Sequence, residues 1–231
     1  MITTAVIPIK QLVNAKQRLS GLLTSDERTR LFRAMVEDVL VAVEVCPLID
    51  EILVVTSDDH VQEFASAFGA SVMSEPENPG LIPAVTAAAK RLAEAPDSTL
   101  VFVPGDVPLI TPDDLEVVLD GFGSSPAAEF TIVPASDLGG SNCVACSPPD
   151  CMEFGFGEDS FRRHLRLAET RGISPTVTRL PSIGLDVDTP GDLNELAQML
   201  YESGQEKATF SYLVESGVLE RVCPDLLRLE A

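Results

Sequence analysis

The sequence predicts an α/β fold, a mostly parallel twisted sheet with helices on both faces. Three observations carry this. Short strand-like runs alternate with segments of helical periodicity along most of the chain. The run Thr99 to Val103 is almost continuously apolar, as a strand covered on both faces must be. Helix-start signals fall between the runs rather than inside them.

Taken in order, the strands are expected at Thr3 to Ile9, Glu51 to Thr56, Ala70 to Met73, Thr99 to Pro104, Glu129 to Ala135, Asn142 to Ser147 and Pro175 to Leu180. Between the first two, Thr24 and Glu27 form a capping box ahead of Leu31, Met35, Val39, Leu40 and Val43, which recur at helical spacing. Further helices are expected from Asp58 to Phe68 and from Pro83 to Ala95. At Thr111, Pro112 and Asp114 a cap, a proline and an acid open another helix. Asp159 to Thr170 reads as a helix ending near Gly172, and Thr189 with Pro190 starts the last. Residues 1–202 form the expected domain. Residues 203–231 read as a linker and a partly apolar tail, with Phe210, Tyr212, Leu213, Val214 and Leu219 packing on the domain or on a second subunit in a homodimer.

Sixteen basic residues against 36 acidic ones give a formal charge of −20, which argues against a nucleic-acid polymer or an anionic membrane as partner. No apolar run is long enough to span a bilayer and no basic, signal-like segment precedes the first strand, so a cytoplasmic protein is expected. The five cysteines, Cys46, Cys143, Cys146, Cys151 and Cys223, are an odd set that fits buried thiols better than disulfides. Zinc is disfavoured because Cys143 and Cys146, three apart in a strand, point to opposite faces.

Ligands of open α/β sheets bind at the carboxyl ends of strands, where Asp106 follows the central run. Asp106 is therefore a candidate metal ligand, although an acid in a turn also serves simply to bond nearby amides. Asp186 and Asp188 flank Val187 in an extended stretch, so both carboxylates share one face and call for a cation such as Mg²⁺. Lys10, Lys16 and Arg18 follow the first strand in a region with no acid between Met1 and Ser25. Three cations there suit a triphosphate, against the plain alternative of a solvated loop.

These residues carry a resemblance. Pro8-Ile9-Lys10 with Ala15-Lys16-Gln17-Arg18-Leu19, then Pro104-Gly105-Asp106-Val107-Pro108-Leu109, then Phe156-Gly157-Glu158-Asp159-Ser160-Phe161, then Leu185-Asp186-Val187-Asp188-Thr189-Pro190-Gly191-Asp192-Leu193 together resemble the phospholactate and phosphoenolpyruvate guanylyltransferases of deazaflavin coenzyme (F-420) biosynthesis. That family is similar in fold to the molybdenum-cofactor nucleotidyltransferases, a nucleotide-diphospho-sugar transferase-like, Rossmann-like arrangement. The resemblance implies GTP plus a three-carbon phosphorylated acid (2-phospho-L-lactate, phosphoenolpyruvate or 3-phospho-D-glycerate) giving a guanylyl diphosphate product, which a downstream transferase consumes, and pyrophosphate. It implies Mg²⁺ on Asp106, Asp186 and Asp188, with Lys16, Arg18 and Asp106 catalytic. Nucleotide binding falls to Lys10, Lys16, Arg18, Gly80, Gly105 and Asp106, and acceptor binding to Asn142, Gly157 and Ser160. Ser160 and the amides near Gly157 also suit an anion on chemical grounds, since they open a helix.

Two loops depart from the family pattern. Leu138-Gly139-Gly140-Ser141-Asn142 is shorter than the usual glycine-threonine loop, and Gly80-Leu81-Ile82-Pro83 lacks an asparagine amide after Leu81. Two alternatives therefore stay open: a nucleotidyltransferase with another base or acceptor, and a nucleotide-binding module without turnover.

Overall fold

The computed structural model describes residues 1–224 and 226. Its strands are β1 (Ile2–Pro8), β2 (Glu51–Val55), β3 (Ser71–Met73), β4 (Ser98–Phe102), β5 (Glu129–Pro134), β6 (Ser141–Ser147) and β7 (Thr176–Val177). They form one sheet in the order β3-β2-β1-β4-β6-β5-β7. Only β6 runs against its neighbours β4 and β5; the other pairings are parallel. Because β6 is reversed, its first residues lie at the same sheet edge as the carboxyl ends of β1, β4 and β5. Ile183–Asp188 reaches that edge too, since Val187 N–H donates to Asp106 O at 3.1 Å.

The helices are α1 (Ser25–Glu44), α2 (Asp59–Ser66), α3 (Leu81–Leu92), α4 (Pro112–Leu119), α5 (Ser160–Thr170), α6 (Pro181–Gly184), α7 (Pro190–Ser203), α8 (Ala208–Glu215) and α9 (Val218–Val222). Capping boxes start three of them: Thr24 with Glu27, Thr111 with Asp114, and Thr189 with Asp192. Each box satisfies two amides that the first turn leaves without an intrahelical partner. α3 begins two residues ahead of the expected Pro83, because a proline in the first turn gives up no helical hydrogen bond. The last strand is shorter than expected, since α6 takes the chain from Pro181.

Period-two alternation divides the core. Ala5, Ile7, Val54, Val101, Val103, Cys143 and Ala145 face Val36, Val39, Leu40 and Val43 of α1 together with residues of α2 and α4. Val6, Leu53, Leu100, Phe102, Phe130, Val144 and Cys146 face α3 and α5. Cys143 and Cys146 thus lie on opposite faces, both buried, and all five cysteines are free thiols.

A third cluster includes Leu185, Val187, Leu196 and Leu200 with Leu213 and Leu219, so the described part of the tail is two helices packed on the domain. Phe210 and Tyr212 are partly buried against this cluster, whereas Val214 faces outward. Asp38 of α1 anchors the packing by accepting from the Ala208 and Thr209 amides at 2.7 and 2.9 Å, which caps α8. Residue 225 and residues 227–231 of the expected tail lie outside the described residues. Among the described residues no helix is long and apolar enough to cross a membrane.

Candidate active site

The chain leaves β1 into a loop that turns sharply at Lys16, whose φ of 52° and ψ of 46° are left-handed, and then makes one 3₁₀ turn, Gln17–Leu19. Leu19 is buried in the third cluster, pinning the end of the loop. The turn aims Lys16 inward, and its ammonium donates to Asp106 Oδ2 at 2.6 Å and to Asp188 Oδ1 at 2.9 Å. It also stands 5.4 Å from the Phe32 ring centroid. Burial disfavours the ammonium, but the charges of Asp106 and Asp188 outweigh it and hold the Lys16 pKa above its ordinary value. Arg18 stays exposed, its guanidinium 3.7 Å from Asp188 Oδ2.

Asp106 is presented by a turn pressed against α1. A Cβ at Gly105 would lie 3.0 Å from Val36 Cγ2, so glycine permits this approach. In Leu185–Asp188 the side chains alternate: Leu185 and Val187 enter the third cluster while Asp186 and Asp188 are only half-buried. Burial raises the Asp186 pKa, the Asn142 amide opposes it, and the nearby charges of Asp106 and Asp188 raise it further. Three carboxylates therefore press on one another with Lys16 between two of them. Hard oxygen donors carrying surplus negative charge fit Mg²⁺ by donor type and charge. Yet among the described residues no three Asp, Glu, His or Cys side chains converge as a ligand set.

Two clefts meet at Arg18 and Asp188. One, of about 580 Å³, is lined by Pro8, Lys10, Lys16, Arg18, Phe32 and Asp188. The other, of about 330 Å³, is lined by Arg18, Ser136, Gly140, Asp186, Asp188 and Thr189. The first gathers the three cations of the basic loop, Asp188 stands at the junction, and Asp186 lines the second.

The remaining candidates are spread more widely. Gly80 caps α3 with a φ of 141°, followed by exposed Leu81 and Ile82. Gly157, with a φ of 109°, is exposed just ahead of α5, whose first residue, Ser160, is buried with its hydroxyl turned to Ser141. Asn142 spends its amide nitrogen on Ile183 O, Gly184 O and Asp186 Oδ1 at 3.0, 3.2 and 3.0 Å. It thereby positions the acid loop. Sequence reasoning missed Ser141 and the buried His164; the signal available was one histidine four residues after Ser160 on a helix, hence on the same face.

Fold and site together define a nucleotidyltransferase: a basic loop after β1 and acids after β4 and before α7, all at one edge of an α/β sheet. A family model described as "Guanylyl transferase CofC like" matches residues 3–221, and the chain belongs to that family. It is 34% identical over 200 residues to phosphoenolpyruvate guanylyltransferase of Conexibacter woesei, covering 87% of this chain and 89% of that one. It is 29% identical to 2-phospho-L-lactate guanylyltransferase of Methanobrevibacter smithii, with coverages of 91% and 88%. To 3-phospho-D-glycerate guanylyltransferase of Colwellia psychrerythraea it is 32% identical, with coverages of 89% and 96%. Among solved structures, one from Desulfovibrio desulfuricans G20 assigned to the nucleotide-diphospho-sugar transferases superposes with a TM-score of 0.75 at 19% identity, covering 96% of this chain and 98% of that one. That likeness shows the fold. The match to residue 221 runs over α8 and most of α9.

Proposed function

We propose that the protein transfers the guanylyl group of GTP to the phosphate of a three-carbon phosphorylated acid, releasing pyrophosphate. The observation that carries this is the junction where Lys16 bridges Asp106 and Asp188 beside a cation-lined groove. The names of the relatives supply guanine and the acid class. A phosphate oxygen of the acceptor attacks the α-phosphorus in line; being deprotonated near neutral pH, it needs no general base. Lys10, Lys16 and Arg18 hold the triphosphate and offset the charge on the departing pyrophosphate. A lysine has three N–H donors, so Lys16 keeps one for phosphate while two hold the acids. Although they do not converge as a ligand set in this structure, Asp106, Asp186 and Asp188 would hold Mg²⁺ once drawn together, and the ion would supply charge neutralisation at the phosphates. Gly80 and Gly105 bring backbone close to the nucleotide, and Gly157 with Ser160 receives the acceptor.

On this reading the enzyme is cytoplasmic and feeds a downstream transferase of deazaflavin coenzyme (F-420) biosynthesis. The test is pyrophosphate release with GTP or CTP against phosphoenolpyruvate, 2-phospho-L-lactate and 3-phospho-D-glycerate, with product mass as readout. Release with GTP and one of these acids supports the reading. Nucleotide binding without release across all of them would sink it, as would undiminished release by Asp106→Asn.

A further inference from the structure

We propose that His164 is a positioning residue for the acceptor, acting through Ser141 to set which way the Ser160 hydroxyl presents its proton. The proposal rests on reading Gly157 and Ser160 as the acceptor segment. It adds a buried relay behind that segment which the transfer chemistry does not itself require.

His164 is fully buried one turn after Ser160 on α5, with the Phe156 ring edge-on at 4.9 Å between centroids. The Gly155 backbone N–H donates to Nε2 at 2.8 Å. A backbone amide can only donate, so Nε2 carries the lone pair and the proton of the neutral ring sits on Nδ1. Nδ1 lies 2.9 Å from Ser141 Oγ and must therefore donate to it. Burial, helped by the Arg163 charge, pushes the imidazole pKa down to about 4, which keeps the ring neutral near pH 7.

Ser160 Oγ lies 3.2 Å from the same Ser141 oxygen, and either hydroxyl can donate across that distance. If Ser160 donates, Ser141 accepts two protons, and its own proton has no acceptor among the hydrogen bonds of the described residues. A buried hydroxyl proton without a partner costs free energy. The cost is relieved if both hydroxyls rotate, so that Ser141 donates to Ser160 and Ser160 donates to an arriving anion. His164 cannot reverse its own bond because Gly155 fixes the tautomer. The ring therefore drives the serine pair toward the polarity that receives a carboxylate or phosphate.

Two substitutions separate this role from packing. His164→Gln places an amide near the Nε2 position, keeping a partner for Gly155 and losing the donor to Ser141. His164→Asn places it near Nδ1, keeping that donor and losing the partner for Gly155. His164→Gln and Ser141→Ala are expected to raise KM for the acid by about tenfold, while KM for GTP stays within about twofold. His164→Asn restores KM for the acid even where its urea midpoint is as low as that of His164→Gln. Nitrogen-15 NMR of the wild-type ring should show the Nδ1–H tautomer. An Nε2–H tautomer would overturn the relay with no variant needed, and so would a KM for the acid unchanged in both His164→Gln and Ser141→Ala. Equal rises in both KM values that track lost stability would make His164 merely structural. Ser160→Ala is the control: if it leaves KM for the acid unchanged, the acceptor-segment reading fails. If it raises that KM while His164→Gln and Ser141→Ala do not, only the relay fails.

Discussion

Lys16 Nζ stands 2.6 Å from Asp106 Oδ2, joining the loop after β1 to the turn after β4 across 90 residues of chain. Breaking a buried ion pair from one side costs about 3–5 kcal/mol. Asp106 and especially Asp188 retain solvent, so Lys16→Met is expected to cost about 1–2 kcal/mol in urea unfolding. Combining it with Asp106→Asn should cost less than the sum of the two, because each alone strands the other's charge. Strict additivity in the double-mutant cycle would show that the pair is not coupled.

Asn142 holds the acid loop through Ile183 O, Gly184 O and Asp186 Oδ1. Asn142→Asp replaces a donor with a like charge beside Asp186. It should reduce kcat by about a hundredfold or more, as displaced catalytic geometry does. Circular dichroism should remain that of the parent, and a kcat within about twofold of wild type would contradict this role.

The buried His164 also makes stability depend on acid. Its folded pKa of about 4 lies below the unfolded value near 6.5, so the unfolded chain binds more protons in that window. The contribution is complete above pH 6.5 and is lost as pH falls toward 4, amounting to about 3 kcal/mol. Comparing urea unfolding of wild type and His164→Gln from pH 4 to 8 isolates it. The wild-type curve should fall more steeply on acidification.

Asp38 caps α8 from the middle of α1. Asp38→Ala should destabilise the protein by about 1–2 kcal/mol and speed amide exchange in residues 208–222 more than elsewhere. Asp38→Asn, which keeps one accepting oxygen, should do less. Uniform exchange along the chain would show that the cap does not hold the C-terminal helices.

Much of the fold is legible in the sequence because its signals are local. The three Thr capping boxes and the alternation in β1, β4 and β6 need only neighbouring residues to be read. α8 and α9 escape such reading: each is short, neither has a side-chain cap of its own, and the cap of α8 comes from Asp38, 170 positions away. The candidate site divides in the same way. Acids after a buried strand and cations in an acid-free stretch can be picked out by type and place. That Lys16 turns through a left-handed backbone into the acids, that Asn142 spends its amide on their loop, and that His164 lies behind Ser160 are products of tertiary packing.

Ser141 and Asn142 are adjacent, yet one bonds toward α5 and the other toward Asp186. The register shift opposite Val133 and Pro134 sets this, since unbroken alternation from Val144 and Cys143 would leave Ser141 on the Cys143 face, away from α5. This bulge limits how the preceding loop can be re-engineered. Residues added ahead of Gly140 lengthen the loop and leave both side chains where they are. A single residue inserted between Gly140 and the pairing of Val133 with Cys143 disturbs the bulge that sets the two faces. Loop grafting to alter acceptor choice therefore has to stop short of Gly140.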